Sequence, residues 1–256
     1  MPYYNSCVIL SEELKFIGIS KELKNIRVNR PVQSGFDFKN WPVIKSTSDD
    51  ACFELKEVHW EYIPDYIHDD SELLDARIMN TWLTCRGENL FRNEKNRISI
   101  YREGALHGRC LVLSSGFFEW RHVPVTGKRG KPLAQHEKIP YFITLKHKPE
   151  YFFMAGVLHS WTNRTRQQSA DTFAIVTTEA NELMTKVHNN KKRMPVILNE
   201  VLAERWLKGI LSENEITNLA GYQYNSDEMI AWPVEKGFMN KANPNEEFKY
   251  ENLPPL

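Results

Sequence analysis

The sequence predicts an α+β fold in which a mixed, largely antiparallel sheet carries helices on its flanks. Three observations lead to it. The runs at residues 139–145, 151–157 and 172–177 alternate in polarity or are wholly apolar, and Lys/Pro or polar turns separate them. Helical spacing is confined to a few capped stretches, the clearest after Asn199, where Leu202, Trp206 and Ile210 form one stripe. No repeat, low-complexity run or linker divides the 256 residues, so a single domain over 1–256 with a sizeable core is the simplest organisation.

Taken in order, Pro2-Tyr3-Tyr4 runs straight into apolar residues, so the N-terminus is expected to pack into the fold as a strand. Pro2 is small enough for the initiator Met to be removed, leaving a secondary amine at the terminus. Ser11 is placed to cap a helix through Ile19, and Ile26 to Arg30 reads as extended. Residues 31–50, punctuated by Pro31, Gly35, Phe36, Phe38, Trp41 and Pro42, read as a loop of the kind that lines sites. Val58 to Tyr66 begins as a strand and ends at the Pro64 turn, leaving Trp60, Tyr62 and Tyr66 either to pack in the core or to stack on a flat ligand. From Asp69 an amphipathic pattern runs to Thr84-Cys85-Arg86-Gly87-Glu88, where an Arg and a Glu about a Gly fit a functional loop or a surface ion pair equally. Residues 92–108 are charged and solvated.

Leu111 to Leu113 read as a buried strand and Ser114-Ser115-Gly116 as a bend that lets backbone come close. Phe117, Phe118 and Trp120 then read as apolar walls around Glu119. Residues 122–136 form a basic hairpin or loop carrying Lys128, Arg129 and Lys131. Thr178 is placed to cap a helix over 179–187 that stops at His188, where the negative end of the helix dipole favours a protonated ring. Lys191-Lys192-Arg193 leads into an apolar run to Leu198, and Asn199 caps a helix over 200–211. A shorter helix follows Ser212, and one strand from Met229 to Pro233 precedes an Asn- and Pro-rich tail.

Thirty-three basic residues balance thirty-three acidic ones, so any nucleic-acid contact has to come from a local groove rather than from overall charge. The four cysteines, Cys7, Cys52, Cys85 and Cys110, are widely spaced with no CxxC, which fits reduced thiols better than a disulfide frame or a zinc site. No apolar run reaches the roughly 20 residues that span a bilayer, and no signal-peptide core opens the chain. A monomeric cytoplasmic protein with no metal, cofactor or membrane partner is the expectation. Walker A, GxGxxG, GxSxG and HExxH motifs are absent, which leaves nucleotide folds, serine hydrolases and zincins without support.

Four features carry chemistry if the fold brings them together: Pro2, the Arg86/Glu88 loop, Glu119, and His188 ahead of Lys191-Lys192-Arg193. A terminal amine attacks carbonyls, a carboxyl in apolar surroundings has its pKa raised towards neutrality and can shuttle protons, and a basic cluster binds phosphate. Each feature also has a plain structural account: a buried strand end, a surface ion pair, a helix-capping His and a solvated basic run.

Six segments, in order, resemble the SRAP family, the SOS-response-associated peptidases or abasic-site-processing proteins. They are Arg109-Cys110-Leu111 through Gly116-Phe117-Phe118-Glu119-Trp120; Ile139-Pro140-Tyr141-Phe142-Ile143; Phe153-Met154-Ala155-Gly156-Val157; Thr172 through Asn181; His188 with Arg193-Met194-Pro195; and Trp232-Pro233-Val234. The resemblance covers nearly the whole chain. It implies a curved, barrel-like sheet and a groove for single-stranded DNA with abasic sites, bound in the nucleoid. In the family a cysteine at residue 2 becomes the N-terminus, and its amine and thiol close a thiazolidine on the ring-opened sugar. The resemblance gives Glu119 a part in proton transfer and His188 a part in Schiff-base chemistry. It turns Arg193 towards phosphate, beside Lys192 of the basic cluster, and likens Thr84-Cys85-Arg86-Gly87-Glu88 to an Asn-Ala-Arg-x-Glu segment with Arg86 on phosphate.

Three departures stand out. Residue 2 is Pro2, which carries no thiol, so an iminium is the only covalent product its nitrogen can form. The motif Asn is Thr84, with Asp75-Ala76-Arg77 as the alternative alignment. Extra residues separate His188 from Arg193. The expectation is therefore abasic-site processing with a reversible imine and a possible lyase step, against a non-catalytic single-strand binding module or a peptidase limited to removing Met1.

Overall fold

The computed structural model describes residues 2–9, 27–46, 53–126, 132–147 and 150–256. In chain order the elements are β1 (Tyr4–Ile9), β2 (Val28–Ser34), β3 (Asn40–Ser46), β4 (Phe53–Trp60), α1 (Asp70–Met79), β5 (Thr84–Arg86), α2 (Arg102–His107), β6 (Arg109–Ser114), β7 (Gly116–Thr126), β8 (Pro132–Leu145), β9 (Phe152–Asn163), β10 (Gln168–Glu179), α3 (Glu182–Val187), β11 (Arg193–Pro195), β12 (Ile197–Leu198), α4 (Glu200–Lys208), α5 (Glu213–Ala220) and β13 (Met229–Pro233). The predicted mixed α+β class holds, and so does the curved, barrel-like sheet.

Five strands close on one another. β4 pairs with β3, β3 with β6, β6 with β9 and β9 with β10, all antiparallel, and a parallel β10–β4 pairing completes the ring. Closure leaves the central strands covered on both faces, which is why Leu111, Val112 and Leu113 are all fully buried and read as a continuous apolar run rather than an alternating one. β5 and β11 extend β10 beyond the ring, and β12 pairs with β9.

A second, antiparallel sheet has the order β13-β8-β7-β1-β2. The chain passes from the barrel to this sheet at Ser114-Ser115-Gly116. Gly116 is required there, because a Cβ would fall 2.0 Å from the Phe142 ring. Buried hydroxyls pin β1 to this switch. The Ser114 hydroxyl donates to Asn5 Oδ1 at 2.7 Å, Ser6 and Ser115 share a 3.0 Å bond, and the Ser115 N–H donates to the Ser6 carbonyl at 2.8 Å. At about 1 kcal/mol each, these bonds hold a chain terminus that would otherwise fray.

Several expectations are corrected. Residues 31–50 are no open loop: β2, a 3-10 turn at Gly35–Asp37 and β3 occupy the described part, with Trp41 wholly buried. Thr178 stays in β10, and Asn181 caps α3 by accepting from Met184 N–H. Asn199 does cap α4, but the helix ends at Lys208 because Gly209 takes an extended conformation, and Ile210 lies fully in solvent. The shorter helix expected after Ser212 is α5, and the structure shows what starts it: a capping box between Ser212 and Glu215. Alternation along β7 puts Phe118 and Trp120 on the face away from Glu119, in a small cluster with Phe142, Val234 and Phe238, so only Phe117 of the three expected walls shares its side. The helix expected over 11–19 and the tip of the 122–136 insertion, at 127–131, lie outside the described residues. No described helix is long and apolar enough to cross a membrane.

Candidate functional site

β1 and β7 are antiparallel neighbours, with Tyr4 opposite Phe118 and Asn5 opposite Phe117. One step further in this register stands Tyr3 across from Glu119, with Pro2 buried beyond it. Glu119 is 3% exposed and sits opposite Tyr141 of β8. Its Oε2 lies 3.8 Å from Nε2 of His188, itself 6% exposed. A carboxyl group and an imidazole 69 positions apart in sequence thus meet beside the first strand.

His188 closes the C-terminal end of α3, yet burial governs its titration. Desolvation is the largest effect and lowers its pKa below the ordinary value, against the attraction of Glu119. The dipole argument from sequence, which favoured a protonated ring, is overruled by that burial. Nδ1–H donates to the Arg193 carbonyl at 2.8 Å, which fixes the tautomer and leaves Nε2 facing Glu119. The extra residues between His188 and Arg193 are absorbed in a compact turn. Lys192 takes φ +50°, its N–H bonds the His188 carbonyl, and the chain returns Arg193 to the ring it left. Asn189 fastens this turn to β7, accepting from His122 N–H at 2.9 Å and donating to His122 O at 2.8 Å.

Thr84 reaches the same place from β5. Its hydroxyl bonds the Tyr3 phenol, whose pKa is raised by burial and by Glu119 despite that bond. Asp75 of the alternative alignment is exposed on α1 and stands apart from this network. Gly87 lets the Thr84–Glu88 segment sit against the end of α5, for a Cβ there would lie 2.3 Å from the Ala220 carbonyl.

Arg193 is 8% exposed and turned inward. It forms a bidentate pair with Glu88 at 2.7 and 2.8 Å and donates to the Thr177 carbonyl at 2.8 Å, while its buried Nε has no partner among the described residues. Burial would raise the Glu88 pKa, but the bonds from Arg193 outweigh it and hold the carboxyl below its usual value. Arg193 therefore reaches Glu88 first, where the resemblance turned it to phosphate.

The other expected binding residues divide. Trp60 is wholly buried, donates to Leu83 O at 3.0 Å and stacks on Phe173, so of its two possible roles it fills the core one. Tyr66 stays 55% exposed against the edge of Trp82. Arg86 is exposed and paired with exposed Glu94 at 2.6 Å, a contact weak enough in water to yield to an anion. Lys192 is exposed beside Arg193. Tyr3 and Asn189 were missed on sequence. Tyr3 was readable in principle, since a strand beginning at residue 3 that pairs with the Glu119 strand puts residue 3 on one face with it.

The described cysteines Cys7, Cys85 and Cys110 are buried free thiols, and burial pushes the Cys7 thiol up to about 12. Cys7 lies about 17 Å along β1 from Pro2. Cys7 therefore cannot stand in for a thiol at residue 2. No described group of three or more His, Cys, Asp or Glu residues has metal-binding geometry.

A barrel extended by a second sheet, with a buried Glu–His pair at its N-terminal strand, defines the class that comparison with known proteins identifies. The chain belongs to the SRAP family (SOS response associated peptidase), which it matches over residues 20–241. It is similar to a solved structure from Bacteroides thetaiotaomicron, with TM-score 0.74 and 26% identity, covering 96% of this chain and 100% of that one. It is 28% identical over 192 residues to abasic site processing protein YoqW of Bacillus subtilis, covering 75% of this chain and 74% of that protein. It is 27% identical over 184 residues to abasic site processing protein HMCES of Gallus gallus, covering 64% of this chain and 48% of that protein.

Proposed function

We propose that this protein processes abasic sites in single-stranded DNA through the secondary amine of Pro2 once Met1 is removed, forming a reversible iminium. The reading is carried by one juxtaposition, the buried Glu119 and His188 at 3.8 Å beside the buried start of β1. Relatives named for abasic-site processing support the substrate class.

The chemistry follows from Pro2. Its nitrogen adds to the aldehyde carbon of the ring-opened sugar, giving a carbinolamine. Glu119 takes the proton that the terminal amine loses on addition and returns it to the new hydroxyl, which leaves as water while the nitrogen lone pair completes a C=N bond. A secondary amine has no second N–H to lose, so the product is a cation that water reverses by the same steps. His188, neutral at pH 7 because burial lowers its pKa, offers the Nε2 lone pair to the acidic proton at C2′. Loss of that proton expels the 3′ phosphate and cuts the strand. Thr84 and Tyr3 position the terminus, and Arg86, Lys192 and Tyr66 supply exposed charge and one ring to the strand.

The test is incubation with an abasic single-stranded oligonucleotide. With borohydride a covalent adduct is expected, without it none survives heating, and Glu119→Ala lowers the trapped yield. Absence of trapping overturns the covalent reading. A non-catalytic strand-binding module is the second reading, favoured by the missing thiol and by the engagement of Arg193 with Glu88. Equal affinity for intact and abasic strands would establish it.

A further inference from the structure

Arg121 lies two residues beyond Glu119 on the same face of β7, about 7 Å along the strand. It takes part in no ion pair among the described residues. Among the described residues its guanidinium is met only by neutral acceptors: Nη1 donates to the Pro254 carbonyl at 2.6 Å and to the Tyr141 hydroxyl at 3.2 Å, and Nη2 to the Pro255 carbonyl at 3.0 Å. Tyr141 is also the residue opposite Glu119, so this group belongs to the rim of the candidate site.

Two carbonyl oxygens held side by side on Nη1 and Nη2 occupy the fork that the two non-bridging oxygens of a phosphodiester fill. A charged acceptor in that fork bonds about twice as strongly as a neutral one. The segment that supplies the carbonyls is held only lightly at this end, since Pro254, Pro255 and Leu256 are exposed. The tail's firm anchors come earlier: Phe248 N–H on the Pro233 carbonyl, the Tyr250 hydroxyl on the Val234 carbonyl at 2.8 Å, and Leu253 against the core. The last three residues can leave without disturbing these.

We propose that Arg121 is a phosphate-binding residue of the strand groove, capped by the main-chain carbonyls of Pro254 and Pro255, and that a single strand drawn past Glu119 displaces this cap. The inference rests on the reading of the protein as a single-strand binder.

The experiment compares binding of a short oligothymidylate by the full chain, a chain ending at Leu253, Arg121→Ala, Arg121→Lys and the truncated Arg121→Ala across a salt series. The chain ending at Leu253 binds about fivefold tighter than the full chain with the same salt slope, because the cap no longer competes. Arg121→Ala makes the slope shallower by about 0.7, one single-strand phosphate contact, and truncation then gains nothing. Arg121→Lys keeps the charge and the slope but loses affinity with the fork, which separates the contact from a folding defect. An unchanged slope in Arg121→Ala, or a truncation gain that persists in it, overturns the proposal. So does inorganic phosphate that exposes the last three residues to carboxypeptidase as readily as the strand does at equal ionic strength. If neither the full chain nor the truncated one binds any strand, the parent reading fails and this one with it.

Discussion

Removing Glu88 tests whether the site is held by a relay of buried contacts. The Arg193 side chain is 9% exposed and Glu88 51%, so the two ends of their bidentate pair differ. Glu88→Ala leaves a guanidinium in the interior with only the Thr177 carbonyl and hydroxyl, and an Nε that already has no described partner. Breaking a fully buried pair from one side costs about 3–5 kcal/mol, and water entering at the half-open Glu88 end reduces this to about 2–3 kcal/mol. Arg193→Met leaves the exposed partner to water and costs less, about 1 kcal/mol. Urea unfolding at pH 7 reads both, with Glu88→Ala lowering the midpoint by about 1 M. Because the folded Glu88 carboxyl titrates below its unfolded value of about 4.3, the stability it adds is fully present above that pH. It is lost as pH falls through the folded pKa, and the gap between wild type and Glu88→Ala closes there. The Arg193 carbonyl holds Nδ1–H of His188, so Glu88→Ala also moves the His188 titration further down, seen by NMR. A stability change below about 0.5 kcal/mol, or Arg193→Met costing more than Glu88→Ala, would refute this reasoning.

Three further outcomes are expected. Since burial depresses the His188 pKa, its contribution to stability is present above the ordinary value of about 6.5 and lost as pH falls through the folded value, and His188→Gln removes that acid-side loss in a thermal-melt series. Pro2→Cys places a thiol beside the terminal amine and gives a heat-stable adduct on abasic single-stranded DNA without reductant; an adduct that still needs borohydride would show that the neighbouring groups no longer support ring closure. Gly87→Ala drives a methyl to 2.3 Å from the Ala220 carbonyl and lowers stability by about 1–3 kcal/mol, while a neutral result in urea unfolding would mean that α5 shifts freely.

What the sequence revealed follows from physics that acts over a few residues. Alternation and turn chemistry located the strands at 139–145, 151–157 and 172–177, and Ser212 marked the start of α5, because each depends on neighbours along the chain. Thr178 was misplaced because β10 continues through it to pair with Met194, a contact no local pattern contains. Ile210 fits the helical stripe but follows the break at Gly209. The walls around Glu119 were misjudged by reading Phe117 to Trp120 as a cluster, where a strand sends alternate side chains to opposite faces. At the site, Glu119 and His188 were legible as residues and their meeting was not, since it depends on the closed barrel and on β1 pairing with β7. Arg193 shows the limit of motif reasoning: the position was found, but its partner Glu88 lies 105 residues away.

The central claim is that the nitrogen of Pro2 is the group that meets the abasic sugar. Borohydride-trapped protein, digested and sequenced by tandem mass spectrometry, tests it directly. The account predicts a peptide beginning at Pro2, without Met1, with the reduced sugar on its terminal nitrogen. An adduct on a lysine side chain, or a retained Met1 carrying it, would contradict it.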